Sequence, residues 1–404
     1  MSTDGQASAL VPAVNYSAPA SMPTTTLATA GVARTARRKT RRALVVDGRM
    51  LFSSGIGRYL REILQRIPKD APFELSAVYN TLQQKEWLET FVPSAVPVAS
   101  GARIYSCREQ WLAFSLPADA TFWVPHYNIP RLGRCRVVAT VHDLAPLALP
   151  GIFRGRLRQW AARFYFGGVK RRACHVIAVS RFTHGELLRR GLAQAENISV
   201  IPNGVGAFWR RGRRVPEVRN RLLYVGNLKP HKNLARLIEA VEIVQKRHPV
   251  ELAITGRIEG FRTGLDRALL KKLDSTDWIR LLGETTDGEL REHYQQAGAL
   301  VFPSLYEGFG LPLLEALAAG CPAVASNIGA LTEIGGKPRQ EGGAVEYFDP
   351  YNVEDMAAAI DRTLALSDGE RNRVKAVGRA IASAHTWDKA AESTWSLLAE
   401  KSIG

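Results

Sequence analysis

From residue 42 onward, short apolar runs rich in β-branched side chains alternate with longer stretches whose apolar residues recur every three or four positions. A buried parallel strand reads as an uninterrupted apolar run and its crossover helix as an amphipathic one, so the alternation predicts βαβ units. The predicted strands are 43–47, 73–79, 121–125, 137–142, 175–180 and 198–202 in the first half. In the second half they are 222–226, 251–256, 279–282, 300–303, 323–326 and 344–348. Six strands per half predict an α/β protein of two doubly wound domains, residues 41–206 and 207–384, meeting near the basic "VGAFWRRGRRVPE" of residues 205–217. Residues 385–404 keep an amphipathic pattern with no strand left to serve and are expected to form a closing helix.

The first 40 residues lack any such pattern. Residues 1–32 are rich in Ala, Ser, Thr and Pro, and residues 33–42 read "ARTARRKTRR", which together predict a disordered leader. No apolar run reaches the roughly 18 residues a membrane helix needs, and the start lacks the apolar core of a secretory signal. Cys107, Cys135, Cys174 and Cys321 show no CxxC spacing, so neither a disulfide framework nor a zinc site is expected, and a reducing cytoplasm fits.

Charge is unevenly placed. Lys and Arg outnumber Asp and Glu by 28 to 12 over residues 1–210 and balance them, 26 to 26, over residues 211–404. The whole excess of +16 therefore lies in the first half, which points to an anionic partner there: nucleic acid, an acidic membrane surface or a phosphorylated substrate. Nothing in the sequence matches a nucleic-acid-binding motif, and nucleic acid is not expected as a partner.

In open parallel sheets, ligands sit beyond the carboxyl ends of the strands. The residues there are polar or glycine more often than packing requires: Asp47 and Gly48, His126 to Asn128, His142 and Asp143, Ser180 and Arg181, Asn203 and Gly204. In the second half they are Gly226 and Asn227, Gly256 and Arg257, Gly283 and Glu284, Ser326 and Asn327. Two such crevices facing each other make one cleft between the domains, where the chemistry is expected.

The segment "EGFGLPLLE", from Glu307 to Glu315, has the strand–turn–helix form that leaves backbone N–H groups free at a helix N-terminus, an anion site. Gly308 and Gly310 allow close approach around Phe309, and Pro312 suits the first helical turn. Taken alone, Glu315 has a plainer reading as a carboxylate stabilising the helix dipole. In "YVGNLKPHKNL", Lys229, His231 and Lys232 follow a strand end, where cations suit a diphosphate leaving group or form a solvated cluster. "SSGIGRY" places Gly55, Ile56, Gly57 and Arg58 in a glycine turn that backbone contact with a ligand, or an ordinary βα turn, would explain. His142 in "ATVHDLAPLALP" ends an apolar strand at the expected cleft, as either a structural or a functional histidine. Residues 152–172, "IFRGRLRQWAARFYFGGVKRR", combine seven Arg and Lys, among them Arg154, with five aromatics. They suit either an anionic membrane surface or a helix with its rings turned inward.

Together these residues resemble a known family. "FPSLYEGFGLPLLEALAAGCPAVAS" looks like the E-x7-E signature of retaining glycosyltransferase family 4, with Glu307 and Glu315 as its ends. "GIGRY", "TVHDL", "VIAVSRFT", "VIPNGV" and "LLYVGNLKPHKNL" fall in the order of that family's other blocks, from about residue 43 to 387. The resemblance implies a GT-B architecture, two Rossmann-like domains facing a central cleft, with the nucleotide sugar on the second and the acceptor on the first. Carried over by position, Glu307 would contact the donor sugar and Glu315 the ribose. Leu311 and Gly310 amides with Lys232 would hold the diphosphate, His142 would meet the sugar from the opposite domain, and Gly55 to Gly57 would border the acceptor. By the same resemblance Gly226, Asn227, Lys229, Gly256 and Gly283 fall on the donor side and Arg58, His126 and Asn128 on the acceptor side. One departure stands out: Asn227 occupies the place where many members carry arginine, leaving Lys229 or Arg181 to replace it.

The implied reaction keeps the anomeric configuration, uses no metal and needs no cofactor beyond the nucleotide sugar. "DGRMLFSSGIGRY" and "YVGNLKPHKNL" resemble polysaccharide-assembly mannosyltransferases, favouring GDP-mannose over UDP-glucose, UDP-N-acetylglucosamine or dTDP-rhamnose. A glycan on a lipid diphosphate at the inner face of the cytoplasmic membrane is the acceptor that the basic first half suits. A nucleotide-sugar 2-epimerase or a glycoside-cleaving enzyme with paired carboxylates is the competing enzyme class.

Overall fold

The computed structural model describes residues 42–153, 155–211, 215–256 and 267–403, so the predicted leader, Arg154 and Arg257 lie outside the described residues. The first-half strands are β1 (Arg42–Asp47), β2 (Phe73–Tyr79), β3 (Val96–Ala99), β4 (Thr121–Val124), β5 (Arg136–Val141), β6 (Ala173–Ala178) and β7 (Ile198–Val200). Those of the second half are β8 (Val218–Val225), β9 (Glu251–Thr255), β10 (Ile279–Gly283), β11 (Ala297–Phe302), β12 (Ala323–Ser326) and β13 (Val345–Phe348). Among the described residues they form two all-parallel sheets, ordered β3-β2-β1-β4-β5-β6-β7 and β10-β9-β8-β11-β12-β13.

The first sheet has seven strands rather than the expected six. The extra one, β3, reads "VPVA", and its proline and lack of alternation hide it in the sequence. At the sheet edge, paired only with β2, Pro97 removes no ladder hydrogen bond that the sheet needs.

In both sheets the strand order reverses beside the first strand, between β1 and β4 and between β8 and β11. Loops leaving such neighbours part to opposite sides and leave a crevice. The central strands carry the burial that anchors it: every residue of β11, "AGALVF", is buried, as is every residue of β4.

The closing helix is present as Trp387–Ile403, and it returns to the first sheet. Trp387, Trp395 and Leu398 join the core of Leu44, Tyr59 and Trp123. Trp395 lies 5.8 Å from both Phe73 and Trp123, ring centre to ring centre, and its indole N–H donates to the Ile63 carbonyl at 3.0 Å. The two crossing segments touch where the Val205 N–H meets the His385 carbonyl at 3.0 Å. The chain thus passes between the sheets twice, side by side.

Candidate active site

The cleft encloses a cavity of about 330 Å3 at the reversal point of the second sheet. Its floor is the turn after β11, running from Tyr306 to Pro312. Gly310, with φ of +111°, turns the chain into the helix Leu311–Ala319, and Pro312 fills the first turn. No side chain caps that helix end, so its leading N–H groups and positive dipole end face the cavity. Gly308 sits against the opposite wall. A Cβ there would lie 1.6 Å from the His142 carbonyl oxygen, so only glycine lets the two halves meet. Ser180 and Thr183 then donate from the first half to the Gly308 carbonyl, at 2.6 and 3.1 Å.

The second wall is the turn after β8, with Gly226, Asn227, Lys229, His231 and Lys232. Asn233 pins it by donating to the carbonyls of Pro303 and Pro350 at 3.0 and 2.8 Å. The Leu305 N–H bonds the His231 carbonyl at 2.8 Å, joining this turn to the first. Lys232 meets the Glu307 carboxylate at 2.5 Å and lies over the Phe302 ring. Burial, then the neighbouring Lys232, holds the Lys229 ammonium below the usual lysine range. Two cations and a helix end therefore converge on one polar space, an arrangement that suits two linked phosphates.

His142 closes the cavity from the first half. Its ring stands edge-on to Tyr59 at 4.8 Å, and its Nε2–H donates to the Pro125 carbonyl at 3.0 Å. Burial pushes its pKa down to about 4, so the ring is neutral near pH 7 and Nδ1 keeps its lone pair as an acceptor for a hydroxyl. Burial likewise pushes His231 down to about 4.

The structure brings together most of the expected residues and sets others aside. Gly55 and Ile56 line the cavity with Gly226, Asn227, Lys229, Lys232, Glu307, Gly308, Phe309, Gly310, Leu311 and His142. Glu315 does not: it is buried, ion-paired with Arg58 from the first half, and accepts from the Tyr294 hydroxyl at 3.3 Å. Arg58, expected toward the acceptor, instead pairs with both Glu315 and Asp287, so it ties the halves together. Gly57 is packed inside its helix against Leu51. Gly256 and Gly283 lie beside the cavity wall, linked by a 2.9 Å backbone hydrogen bond. His126 and Asn128 sit beyond the cavity in a buried network: Asp47 pairs with Arg49 at 2.6 Å, Arg49 with Glu109 at 2.7 Å, Asn128 donates to Glu109 at 2.7 Å, and Nδ1 of His126 meets Oδ1 of Asn128 at 3.1 Å. Of the two proposed substitutes at the Asn227 place, Lys229 lines the cavity, whereas the backbone N–H of Arg181 is held by Glu333 at 2.8 Å.

Of the polar lining residues, Ser54 and Tyr306 were not named from sequence, and Asp143 and Asn203 were named only as strand-end positions. Asp143 and Asn203 do stand at strand ends, which was the available signal. Asn203 is buried, and its side-chain oxygen has no hydrogen-bond partner among the described residues. Ser54 and Tyr306 carry no comparable signal.

The segment 152–172 divides its roles. Within the helix Arg156–Arg172, Phe166 is fully buried, while Trp160 is 61% exposed beside Arg156 and Arg163. The reading of a helix with rings turned inward is met at Phe166 and not at Trp160. Among the described residues no helix is long and apolar enough to cross a membrane.

Comparison with known proteins places this geometry. Residues 207–380 match the family model of glycosyl transferases group 1, and residues 117–207 that of glycosyltransferase family 4. O-antigen chain mannosyltransferase B of Escherichia coli is 34% identical over 372 residues, covering 84% of this chain and 94% of that protein. O-antigen chain mannosyltransferase RfbU of Salmonella typhimurium is 29% identical over 60% of this chain and 64% of its own. Among solved structures, HepE of Anabaena with UDP and glucose superposes with a TM-score of 0.67 at 18% identity, over 89% of this chain and 99% of that one. Sucrose-phosphate synthase of Thermosynechococcus elongatus gives 0.68 at 17% identity, over the same shares of 89% and 99%. Two facing Rossmann-like sheets, an E-x7-E turn at a helix end and a mannosyltransferase relative along almost its whole length converge on one statement: this chain belongs to the group 1 and family 4 glycosyltransferases and has the GT-B fold.

Proposed function

We propose that the protein transfers mannose from GDP-mannose, with retention of configuration and without a metal, to a short glycan on a lipid diphosphate in bacterial surface-polysaccharide synthesis. The observation that carries the donor side is the convergence of Lys229, Lys232 and the open end of the helix Leu311–Ala319 on one cavity. The cations occupy the place where charge develops on a departing diphosphate.

In this reading Glu307, held by Lys232, binds hydroxyls of the donor sugar, and neutral His142 accepts a hydrogen bond from the other side. Gly226, Asn227, Gly256 and Gly283 shape the nucleotide side. Glu315 reaches the ribose once Arg58 shares or releases it. The acceptor enters past Gly55 and Ile56. Its hydroxyl oxygen bonds to the anomeric carbon on the face that the phosphate leaves, and the leaving phosphate oxygen takes the hydroxyl proton. Such a step needs positioning and charge stabilisation more than a protein base. The mannosyltransferase relatives support mannose as the sugar. UDP-glucose is the second reading, supported by the structure of HepE with that nucleotide sugar.

A donor screen tests this. GDP-mannose is expected to raise the melting temperature most among GDP-, UDP- and dTDP-sugars and to be hydrolysed slowly without acceptor. Stabilisation by UDP-glucose alone shifts the assignment to the second reading. Conversion of the donor to its 2-epimer without acceptor overturns transfer altogether.

A further inference from the structure

A chain of polar groups runs through the first half from Asp47 to His126, and all five of its members, with Arg49, Glu109 and Asn128, are buried. Arg49 donates from Nε and Nη2 to the Asp47 carboxylate at 2.8 and 2.6 Å, and from Nη1 to the Ala102 carbonyl at 3.1 Å. Glu109 accepts from three N–H groups: Arg49 and Asn128 on Oε1, each at 2.7 Å, and the Tyr105 backbone on Oε2 at 2.8 Å. Burial raises the Glu109 pKa, and Arg49 and the Asn128 amide oppose that rise. With N–H donors on both oxygens, an added proton would meet a hydrogen on either, so the carboxylate is ionised. Tyr105 keeps its N–H on Glu109 at a φ of +64°, a left-handed conformation that is costly for any residue with a side chain. A buried arginine between two carboxylates gains little stability over apolar residues of the same volume. What apolar residues cannot do is set which way a hydrogen points.

The far end of the chain is oriented by its start. A carboxylate only accepts, so Asn128 turns its NH2 to Glu109 and its Oδ1 to His126, 3.1 Å from Nδ1. An amide oxygen also only accepts, so Nδ1 carries the His126 proton. The Tyr105 hydroxyl, 3.3 Å from the same Nδ1, is the weaker second partner. Nε2 is then a bare lone pair without a hydrogen-bond partner among the described residues, in a residue only 6% exposed. Such an acceptor calls for a donor. His126 follows β4 and His142 follows β5, its neighbour in the sheet, and the His142 Nε2–H donates to Pro125, the residue before His126. The two imidazoles therefore stand close together at the cleft with opposite nitrogens protonated. Burial first, then His142 and more weakly Lys229 of the cavity wall, hold the His126 pKa down at about 3, so the ring is neutral and within reach of that wall.

We propose that the chain Asp47–Arg49–Glu109–Asn128 is a positioning device for the acceptor: it fixes the His126 proton on Nδ1 and so presents Nε2 as a hydrogen-bond acceptor to a saccharide hydroxyl beside the donor cavity. His126 touches the sugar, and Glu109 and Asn128 act through it. The group recognised is a neutral hydroxyl, because a carboxylate or phosphate at that place would meet a lone pair. The inference rests on the transferase reading for the role of that sugar, whereas the place of the proton is tested without it.

The test uses the full-length protein labelled with nitrogen-15 at histidine. Long-range proton–nitrogen spectra tell protonated ring nitrogens from bare ones, and the signals lost in His126→Asn assign this ring. Wild type is expected to carry the proton on Nδ1, and Asn128→Leu to let it divide between both nitrogens. Melting curves check that each variant folds. Methyl α-D-mannopyranoside is the saccharide probe, and it should move the Nε2 signal saturably. Ligand-observed spectra should show its affinity fall about tenfold in His126→Asn, which keeps a donor toward Asn128 but places nothing at Nε2. His126→Gln, whose amide oxygen reaches that place, should keep most of the affinity, whereas a purely structural role predicts the reverse order. The proposal is overturned if the proton sits on Nε2, or if Asn128→Leu keeps the wild-type form. It is also overturned if the probe leaves Nε2 unmoved up to its solubility, or if His126→Asn binds it as well as His126→Gln does. Melting shifts with GDP-mannose on the same wild-type sample separate the two readings. A shift with the proton on Nε2 refutes the positioning device alone, and the expected proton and probe binding without any nucleotide-sugar shift refute the transferase reading alone.

Discussion

The two sheets present opposite kinds of ends to the cleft. After β8 and β11, charge borders the cavity: Lys229 and Lys232, the latter paired with Glu307, line it, and the helix end beyond Gly310 is uncapped. After β1 and β4, charge is consumed. Arg49 is fully buried between Asp47 and Glu109, and Asn128 saturates the same carboxylate. The histidines at the ends of β4 and β5, His126 and His142, are stripped of charge by burial. Yet the whole net charge of +16 lies in the first half. Net charge therefore does not locate the proposed phosphate site. Placement at a strand reversal and a free helix end does, because a cation acts on a phosphate only where both are held out of water.

The largest effect should come from the second sheet's end. Glu307→Ala is expected to cut transfer about a thousandfold, roughly 4 kcal/mol of transition-state stabilisation, with an unchanged melting temperature. Product formation from labelled donor measures it. Full activity in a folded variant would remove Glu307 from the mechanism and erase the contrast.

At the first sheet's end the same kind of deletion should act on stability. Glu109→Ala leaves Arg49 short of one carboxylate in a buried place, at a cost of about 3 kcal/mol or more. Denaturant midpoints should show it. If stability is unchanged, that network is not the rigid platform described.

Acid should weaken the first half next. His126 and His142 stay neutral when folded, with pKa pushed down to about 3 and about 4, whereas unfolded histidine titrates near 6.5. The unfolded chain therefore binds protons that the folded chain refuses. Stability should fall as pH drops from about 6.5 toward 4, by up to about 1.4 kcal/mol per pH unit for each fully shifted histidine. His142→Gln should flatten that slope in melting curves. An identical slope would mean that His142 titrates freely.

The smallest effect should come from the link between the ends. Arg58→Gln removes the ion pairs to Glu315 and Asp287 and should raise the donor KM only a few-fold, about 1 kcal/mol. Small-angle scattering of the ligand-free variant should show a more open molecule. An unchanged profile would assign closure to Ser180, Thr183 and Glu333 instead.

Much of this was legible along the chain because its signals are local. Twelve of the strands appear as apolar runs, and the turn from Glu307 to Glu315 carries its own glycines, proline and strand on either side. The missing β3 fails that test, since an edge strand with Pro97 has no buried pattern to read. Arg49 and Glu109 are 60 residues apart, and Arg58 and Glu315 are 257 apart, so neither pair has a spacing that could announce it. Trp395 reads as one more apolar position until it lands between Phe73 and Trp123.

By itself, then, the sequence determined the parallel α/β class, the E-x7-E turn, the cation-bearing turn after β8 and the candidate His142. Each of these is set by propensity, periodicity or a few adjacent residues. Only the tertiary structure decided which carboxylate faces the cavity, that Arg58 holds Glu315, that the C-terminal helix completes the first core, and that Trp111 and Trp160 are left exposed on the first half. Those outcomes depend on which distant groups meet in a low-dielectric interior, where a buried charge must find its partner. That choice belongs to the packed fold and has no signature in local order.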